Sequence, residues 1–183
     1  MNKVKQILKQ YEDIALSDSQ VLKLIDGRAN LILYPDLHKY NTLDDILEPY
    51  GACILLFEAK PKYGHWCCIF KVNESEVEFF NPYGGYPDDS LDFIPLHFRL
   101  VSNQLHPYLS VLMMNSPYEL SYNEHKFQKL NKNIKTCGRW CAIRLVLRKL
   151  SLDDFTYVIK KLKQKMKITS DELVTLLTLH INN

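Results

Sequence analysis

Long apolar runs are missing from this sequence. No stretch approaches the roughly 20 consecutive apolar residues that a membrane-spanning helix needs. The first residues, Met-Asn-Lys-Val-Lys-Gln-Ile, carry charges with no apolar signal region after them. Internal repeats and low-complexity segments are absent as well. We therefore expect a chain that is neither inserted in a membrane nor exported.

A disulfide framework is also lacking. The chain has five cysteines, an odd number, and their spacing shows no pairing pattern. No two of them form the Cys-x-x-Cys pair that is typical of zinc sites. These features favour a reducing, intracellular compartment.

The composition is that of an ordinary globular protein, but its charge is unevenly distributed. Of the 183 residues, 46% are hydrophobic and 24% are charged, and we expect one domain spanning residues 1–183. The net charge is +2, yet residues 126–167 hold 13 Lys and Arg against two acids. This basic segment predicts either a surface for DNA or an acidic partner, or only a solvated, lysine-rich helix face.

The order of predicted elements indicates an α+β fold with a central antiparallel sheet flanked by helices. Hydrophobic periodicity and turn signals predict the following elements. Helices are expected at 3–10, 17–25, 42–47, 91–101, 107–114, 137–150, 152–165 and 170–181, and strands at 31–34, 52–57, 65–72, 76–80 and 118–122. The strands at 52–57, 65–72 and 76–80 are predicted to form an antiparallel unit at its centre.

The segment around Cys137 is the first candidate for chemistry. An amphipathic helical pattern begins at this residue, directly after Thr136, which is a residue type that caps helices. In the first turn of a helix, unpaired N–H groups and the helix dipole stabilise an anion, so we expect a lowered thiol pKa at Cys137. Gly138 would leave the sulfur sterically open. The alternative is a small buried cysteine that begins an ordinary core helix.

A base for that thiol is offered by His65, at the start of a predicted strand. Asn81 ends the next strand of the same hairpin, whose turn is at 73–75, so both residues lie near one end of the sheet. A side chain at position 81 can hydrogen-bond the His65 ring and fix its tautomer. The alternatives are a structural histidine and an Asn-Pro turn.

Four motifs, in this order, resemble the adenovirus-type maturation proteases, which share a superfamily with the ubiquitin-like-modifier proteases. They are Ala52-Cys53, Gly64-His65-Trp66, Phe79-Phe80-Asn81-Pro82-Tyr83-Gly84 and Cys137-Gly138. The resemblance spans about residues 52–150. It implies a papain-like but permuted thiol protease architecture, with the nucleophile at a helix N-terminus.

Carried over residue by residue, the resemblance implies roles for several side chains. Cys137 would be the nucleophile, His65 the base and Asn81 its orienting partner, although adenovirus-type enzymes have an acid at that place. Trp66 and Gly138 would contact the substrate backbone. The oxyanion-hole glutamine usually lies six or seven residues before the cysteine; here the nearest glutamine is Gln128, nine before, and Asn131 is the second choice.

The activity implied is a viral cysteine endopeptidase that cleaves capsid precursors at small-residue, Gly-containing sites during virion maturation. The chain is closest in kind to the capsid-processing enzymes of virophages and Polinton-like elements. We expect it in the host cytoplasm or viral factory and in the virion, as a monomer. The resemblance implies no required cofactor, although DNA or a peptide is a candidate activator. The alternatives within the superfamily are a deubiquitinase-like isopeptidase and, more remotely, an acetyltransferase.

Two readings without catalysis compete with this one. Cys137 and Cys141 are one helical turn apart, and with His65 and Cys67 they would give four zinc ligands. A nucleic-acid-binding module built on the basic helices is the second. The zinc reading lacks a Cys-x-x-Cys pair, and Cys-Gly at a helix start suits a nucleophile better; the binding module leaves the His-Trp and Cys-Gly motifs unexplained.

Overall fold

The helices of the chain, in a computed structural model that describes residues 2–182, follow most of the predicted pattern. They are α1 (Asn2–Glu12), α2 (Asp18–Leu24), α3 (Leu43–Leu47), α4 (Leu96–Val101), α5 (Tyr108–Met114), α6 (Cys137–Val146), α7 (Leu152–Met166) and α8 (Ser170–Leu177). Short 3-10 helices occupy Tyr34–Lys39, Asp89–Phe93 and Leu179–Asn182. None of the helices in the described part of the chain is long and apolar enough to cross a membrane.

Helices α2 and α3 begin at side-chain caps. Ser17 and Thr42 each form a capping box at the start of their helices, which satisfies backbone N–H groups that a helix leaves unpaired. Gly27 ends the α2 region with a φ of +67°, and its N–H bonds the carbonyl of Leu22. Acidic residues begin α7 and α8, as the helix dipole favours.

Three helix boundaries were predicted wrongly. The expected helix 91–101 is divided into a 3-10 turn and α4, because Pro95 cannot donate the hydrogen bond that a continuous helix requires. The helix that begins at Cys137 ends at Val146 instead of residue 150. The last predicted helix ends at Leu177 and is followed by a 3-10 turn.

Five strands form one sheet in the order β1 (Asn30–Leu33), β2 (Ala52–Lys60), β3 (Tyr63–Lys71), β4 (Glu76–Phe80), β5 (Glu119–Tyr122). The predicted antiparallel unit of β2, β3 and β4 is confirmed. The predicted central antiparallel sheet is correct only for these three strands, because β1 and β5 pair in parallel with β2 and β4. The long connections before β2 and β5 allow this pairing, which a tight hairpin would exclude. The fold is therefore α+β with a mixed sheet flanked by helices.

Each face of the sheet packs against its own layer. Along β3, alternate residues point to opposite faces, so Trp66 and Cys68 lie in the core that α6 covers, whereas Cys67 and Ile69 lie in the core on the other side. The first core includes side chains from α2, α7 and α8, and the second includes α3 and α5. This alternation is what the period of two along a β-strand predicts.

A buried ion pair fastens α6 to the sheet. Arg144 donates to both carboxylate oxygens of Glu78, at 2.7 and 2.6 Å, and two more of its N–H groups bond the carbonyls of Leu147 and Leu150. The guanidinium also lies over the ring of Phe155, 4.9 Å from its centroid. Because a buried charge is costly unless it is paired and hydrogen-bonded, this contact sets how α6 lies on β4. It thereby helps to place Cys137, the first residue of α6.

Candidate active site

Cys137 begins α6 without a side-chain cap. Thr136 occupies the N-cap position, as predicted, but its hydroxyl donates to the Asp171 carboxylate at 2.6 Å and caps no N–H of the helix. The same carboxylate accepts the N–H of Lys129, so Asp171 ties down both ends of the loop that precedes Cys137. The first N–H groups of α6 are therefore left for another acceptor, such as an anion at the Cys137 sulfur.

His65 and Asn81 form the predicted pair. The Nε2 of His65 lies 2.8 Å from the Oδ1 of Asn81. That oxygen also accepts the backbone N–H of Tyr83 at 3.0 Å, which identifies it as the acceptor end of the amide. Nε2 must therefore carry the proton when the ring is neutral. The lone pair that can act as a base is then on Nδ1.

Asn81 is itself fixed on every side. Its backbone N–H and carbonyl bond the side chain of Asn123, at 2.9 and 2.7 Å. Its Nδ2 donates to the hydroxyl of Ser90 at 3.3 Å, and its side chain is buried. Since every polar atom of Asn81 is used, the residue holds His65 in one orientation.

A cleft of about 220 Å³ brings the predicted residues together. Its lining includes Cys137, His65, Trp66, Gln128 and Asn131, with Tyr83, Tyr63, Phe93 and Leu130 around them. No hydrogen bond joins the Cys137 sulfur to the His65 ring in the described part of the chain. The thiol and the base thus share one cleft without forming a bonded pair at rest.

The two groups are both neutral near pH 7. Burial raises the pKa of the Cys137 thiol, and the backbone N–H groups of Trp66, Gly138 and Cys137 offset only part of that rise. Burial lowers the pKa of the His65 ring to about 4, against the hydrogen bond to Asn81, which raises it. The predicted lowering of the thiol pKa is therefore wrong for this structure, because desolvation exceeds the effect of the helix start.

Of the two residues predicted to contact the substrate, Trp66 lines the cleft and Gly138 does not. Trp66 lines the cleft and a neighbouring cavity of about 370 Å³, as a residue that walls a channel would. Gly138 is buried, and a Cβ there would lie 3.0 Å from Val21 Cγ2 and 3.2 Å from Trp66 Cδ1. Gly138 was predicted to leave the sulfur sterically open, but the space beside it is filled by Val21 and Trp66. It allows α6 to pack closely against the indole of Trp66.

Gln128 reaches the cleft, but its amide hydrogens are already used. The Nε2 atom donates to the carbonyl of Ile134 at 3.0 Å and to the hydroxyl of Tyr83 at 3.2 Å. Its Oε1 is buried and has no hydrogen-bond partner in the described residues. Asn131, the second choice for the oxyanion donor, is exposed, and its Oδ1 accepts the N–H of Asn133.

The four ligands proposed for zinc do not converge. No group of three or more His, Cys, Asp or Glu residues within 2–182 is arranged to hold a metal ion. The Cys67 sulfur faces Ser90 in the core on one side of the sheet, whereas Cys141 donates to the carbonyl of Trp66 on the other side. Cys67 points away from α6, which carries Cys141, because successive side chains of β3 point to opposite faces of the sheet.

Comparison with known proteins shows the family to which the chain belongs. No protein-family profile matches it. Over 172 residues it is 54% identical to a protein of Sputnik virophage named "Uncharacterized protein V9", an alignment that covers 94% of this chain and 98% of that protein. The chain belongs to the virophage V9 family. The prediction of a viral protein is confirmed, and the name of the relative assigns no activity to it.

Two residues of this V9-family chain were missed at the candidate site. Tyr83 stacks on His65, with ring centroids 4.3 Å apart and planes 14° from parallel. It lies in the Asn-Pro-Tyr-Gly motif, which is the signal that could have identified it. Asp171, on α8, bonds Thr136 across 35 positions of sequence, and no local pattern predicts such a contact.

The basic segment of this V9-family chain is less exposed than its charge count predicted. Arg139 and Arg144 are fully buried. The Lys135 ammonium is paired with Asp13 at 2.9 Å. The remaining basic residues of 126–167 lie on the loop before α6, near its end and along α7.

Proposed function

We propose that this chain is a cysteine endopeptidase in which Cys137 is the nucleophile and His65 the general base. One observation carries the proposal. Asn81 holds His65 with Nε2 protonated, so that Nδ1 is left as the base in a cleft that also contains the Cys137 sulfur. A cysteine at an uncapped helix start, beside a histidine that an amide orients, is the arrangement that thiol acyl transfer requires.

The reaction begins from the neutral pair. As the sulfur bonds to the peptide carbonyl carbon, its proton passes to Nδ1 of His65, and the carbonyl oxygen becomes an oxyanion. The C–N bond then breaks, and the leaving nitrogen takes the proton from the imidazolium. Water attacks the resulting thioester with its proton passing to Nδ1, and the S–C bond breaks as that proton returns to the Cys137 sulfur.

The oxyanion forms beside the start of α6. The backbone N–H of Cys137 is one donor for it, and donors that are already in place cost no reorganisation during the reaction. The Gln128 amide is the second donor that the resemblance implies. It serves directly only if it releases the Tyr83 hydroxyl or the Ile134 carbonyl.

Trp66 forms one wall of the cleft, and we expect it to admit only small residues at the scissile bond. The resemblance to adenovirus-type enzymes indicates capsid precursors as the substrates. The permuted, papain-like architecture belongs to the same proposal.

Co-expression with the virophage capsid precursors tests the proposed endopeptidase activity, with Cys137→Ala and Cys141→Ala as the matched pair of variants. We expect processing by wild type and Cys141→Ala and none by Cys137→Ala. Processing that survives Cys137→Ala contradicts the proposal.

DNA is the proposed activator, through exposed lysines of 126–167 such as Lys160, Lys161 and Lys165. Binding of this kind weakens steeply with salt, because phosphate contacts release counterions. Fluorescence anisotropy of a labelled duplex, measured from low to physiological salt, should show it, and Lys160→Glu with Lys161→Glu should reduce it. The absence of binding at low salt, together with unchanged turnover, would refute this part.

A further inference from the structure

The Tyr83 hydroxyl occupies a place in the cleft that the proposed mechanism does not use. The ring stacks on His65, and the phenol lines the cleft together with Cys137 and Gln128. On its other side the ring contacts Phe93, with centroids 5.9 Å apart. The hydroxyl therefore lies in the same cleft as the base and the nucleophile, and it contacts the loop that carries Gln128.

The hydrogen bonds at Gln128 show which way the Tyr83 hydroxyl points its proton. The Ile134 carbonyl can only accept, so the Gln128 atom 3.0 Å from it is the nitrogen. The same nitrogen lies 3.2 Å from the Tyr83 oxygen and donates its second hydrogen to it. The Tyr83 oxygen thus accepts a hydrogen bond from Gln128. The hydrogen of the Tyr83 hydroxyl has no acceptor within residues 2–182.

The surroundings keep that hydrogen on the oxygen. Burial raises the pKa of Tyr83, and the nearby Cys137 sulfur raises it further. A neutral phenol that already accepts one hydrogen bond becomes a stronger donor, since bonds in a chain polarise one another. The charge that such a donor would stabilise is one that develops beside the sulfur.

We propose that Tyr83 is a catalytic residue whose hydroxyl donates to the oxyanion, and that Gln128 is the positioning residue that holds this hydroxyl. The inference rests on the proposed function and alters the role of Gln128 within it. Both amide hydrogens of Gln128 are used, on Ile134 and Tyr83, whereas the Tyr83 hydrogen is available. No bond has to break before the oxyanion is bound.

Tyr83→Phe separates the two possible donors, because it keeps the stacked ring and frees one hydrogen of Gln128. We expect kcat on a peptide spanning a mapped cleavage site to fall about 100- to 1,000-fold, the usual cost of one oxyanion donor, with KM nearly unchanged. The affinity for a peptide ending in glycine aldehyde, which forms a tetrahedral adduct, should fall likewise. Alkylation of Cys137 by iodoacetamide builds no oxyanion and should keep its rate.

Tyr86→Phe is the matched control, since Tyr86 lies in the same loop and is largely exposed. A wild-type or higher kcat in Tyr83→Phe would overturn the inference and identify Gln128 as the direct donor. If wild type cleaves nothing, both this inference and the proposed function are wrong. Should Tyr83→Phe not fold, 3-fluorotyrosine at position 83 gives a more acidic hydroxyl and should tighten aldehyde binding; unchanged affinity would contradict the role.

Discussion

The Nε2 atom of His65 lies 2.8 Å from the Oδ1 atom of Asn81, and that oxygen also accepts the N–H of Tyr83. The second bond makes the first informative, because it fixes which end of the Asn81 amide faces the ring. His65 is thereby held with its basic nitrogen, Nδ1, on the other side of the ring. A neutral amide accomplishes this without adding a charge to the cleft.

Replacement of Asn81 should therefore lower the catalytic rate. In Asn81→Ala the ring loses the partner that sets its tautomer, and we expect kcat/KM to fall about 10- to 100-fold, which is part of the contribution of a general base. Asn81→Asp should retain activity. Its carboxylate would raise the pKa of His65 above about 4 and move the acid limb of the pH–rate profile upward.

The pH–rate profiles of the two variants provide the check. Asn73→Ala, in the exposed turn between β3 and β4, is the control and should behave as wild type. Equal activity of wild type and Asn81→Ala at all pH values would mean that Asn81 does not orient the base.

The neutral state of the thiol gives a second prediction. Because burial raises the pKa of Cys137, the thiolate should be scarce at pH 7 in the free protein and increase only as the pH rises past the ordinary range of a thiol, about 8.5. The rate of alkylation by iodoacetamide, followed by intact mass, should rise in the same range. A plateau of fast alkylation below pH 6 would instead indicate a preformed thiolate–imidazolium pair.

Gly138 gives a third prediction, which concerns packing. In Gly138→Ala the new methyl group would lie 3.0 Å from Val21 and 3.2 Å from the Trp66 ring, so one of them must move. Overpacking of this kind costs typically about 1–3 kcal/mol of unfolding free energy. Ala142→Gly serves as a comparison within α6. Urea unfolding measures the loss, and a variant as stable as wild type would show that the indole yields freely.

The buried ion pair gives a fourth prediction. Arg144→Met removes the partner of a Glu78 carboxylate that is only 2% exposed, so a charge is left unpaired in the core. We expect a loss of about 3–5 kcal/mol at pH 7. The double variant Arg144→Met with Glu78→Met should recover much of it, and Lys149→Met, at an exposed position, should change little. Equal stability of the single and double variants would contradict this account.

The elements near the candidate site were predictable because their signals are local. Alternation along β3 placed His65 and Cys67 on one face and Trp66 on the other, and the turn at 73–75 brought position 81 to the end of the sheet that holds His65. Such periodicities and turns depend on neighbouring residues only. The start of α6 at Cys137 was predictable for the same reason.

What could not be predicted depends on partners far away in the sequence. The parallel pairing of β1 and β5 depends on how long connections cross the sheet, which no short window contains. The burial of Arg144, by contrast, could have been predicted from the sequence. Arg144 lies seven residues after Cys137 and three after Cys141, which places it on the buried face of the same helix. The thiol pKa was predicted with the wrong sign since the sequence shows the helix start but not the depth of burial.

The most direct test of the central claim is peptide mapping by mass spectrometry after incubation with a short peptide that ends in a glycine vinyl methyl ester. This electrophile presents a glycine and reacts with a thiol that the protein activates. We predict one adduct, on Cys137, which is lost in His65→Ala and retained in Cys141→Ala. An adduct on any other cysteine, or labelling of Cys137 that His65→Ala leaves unchanged, would contradict a Cys137–His65 catalytic pair.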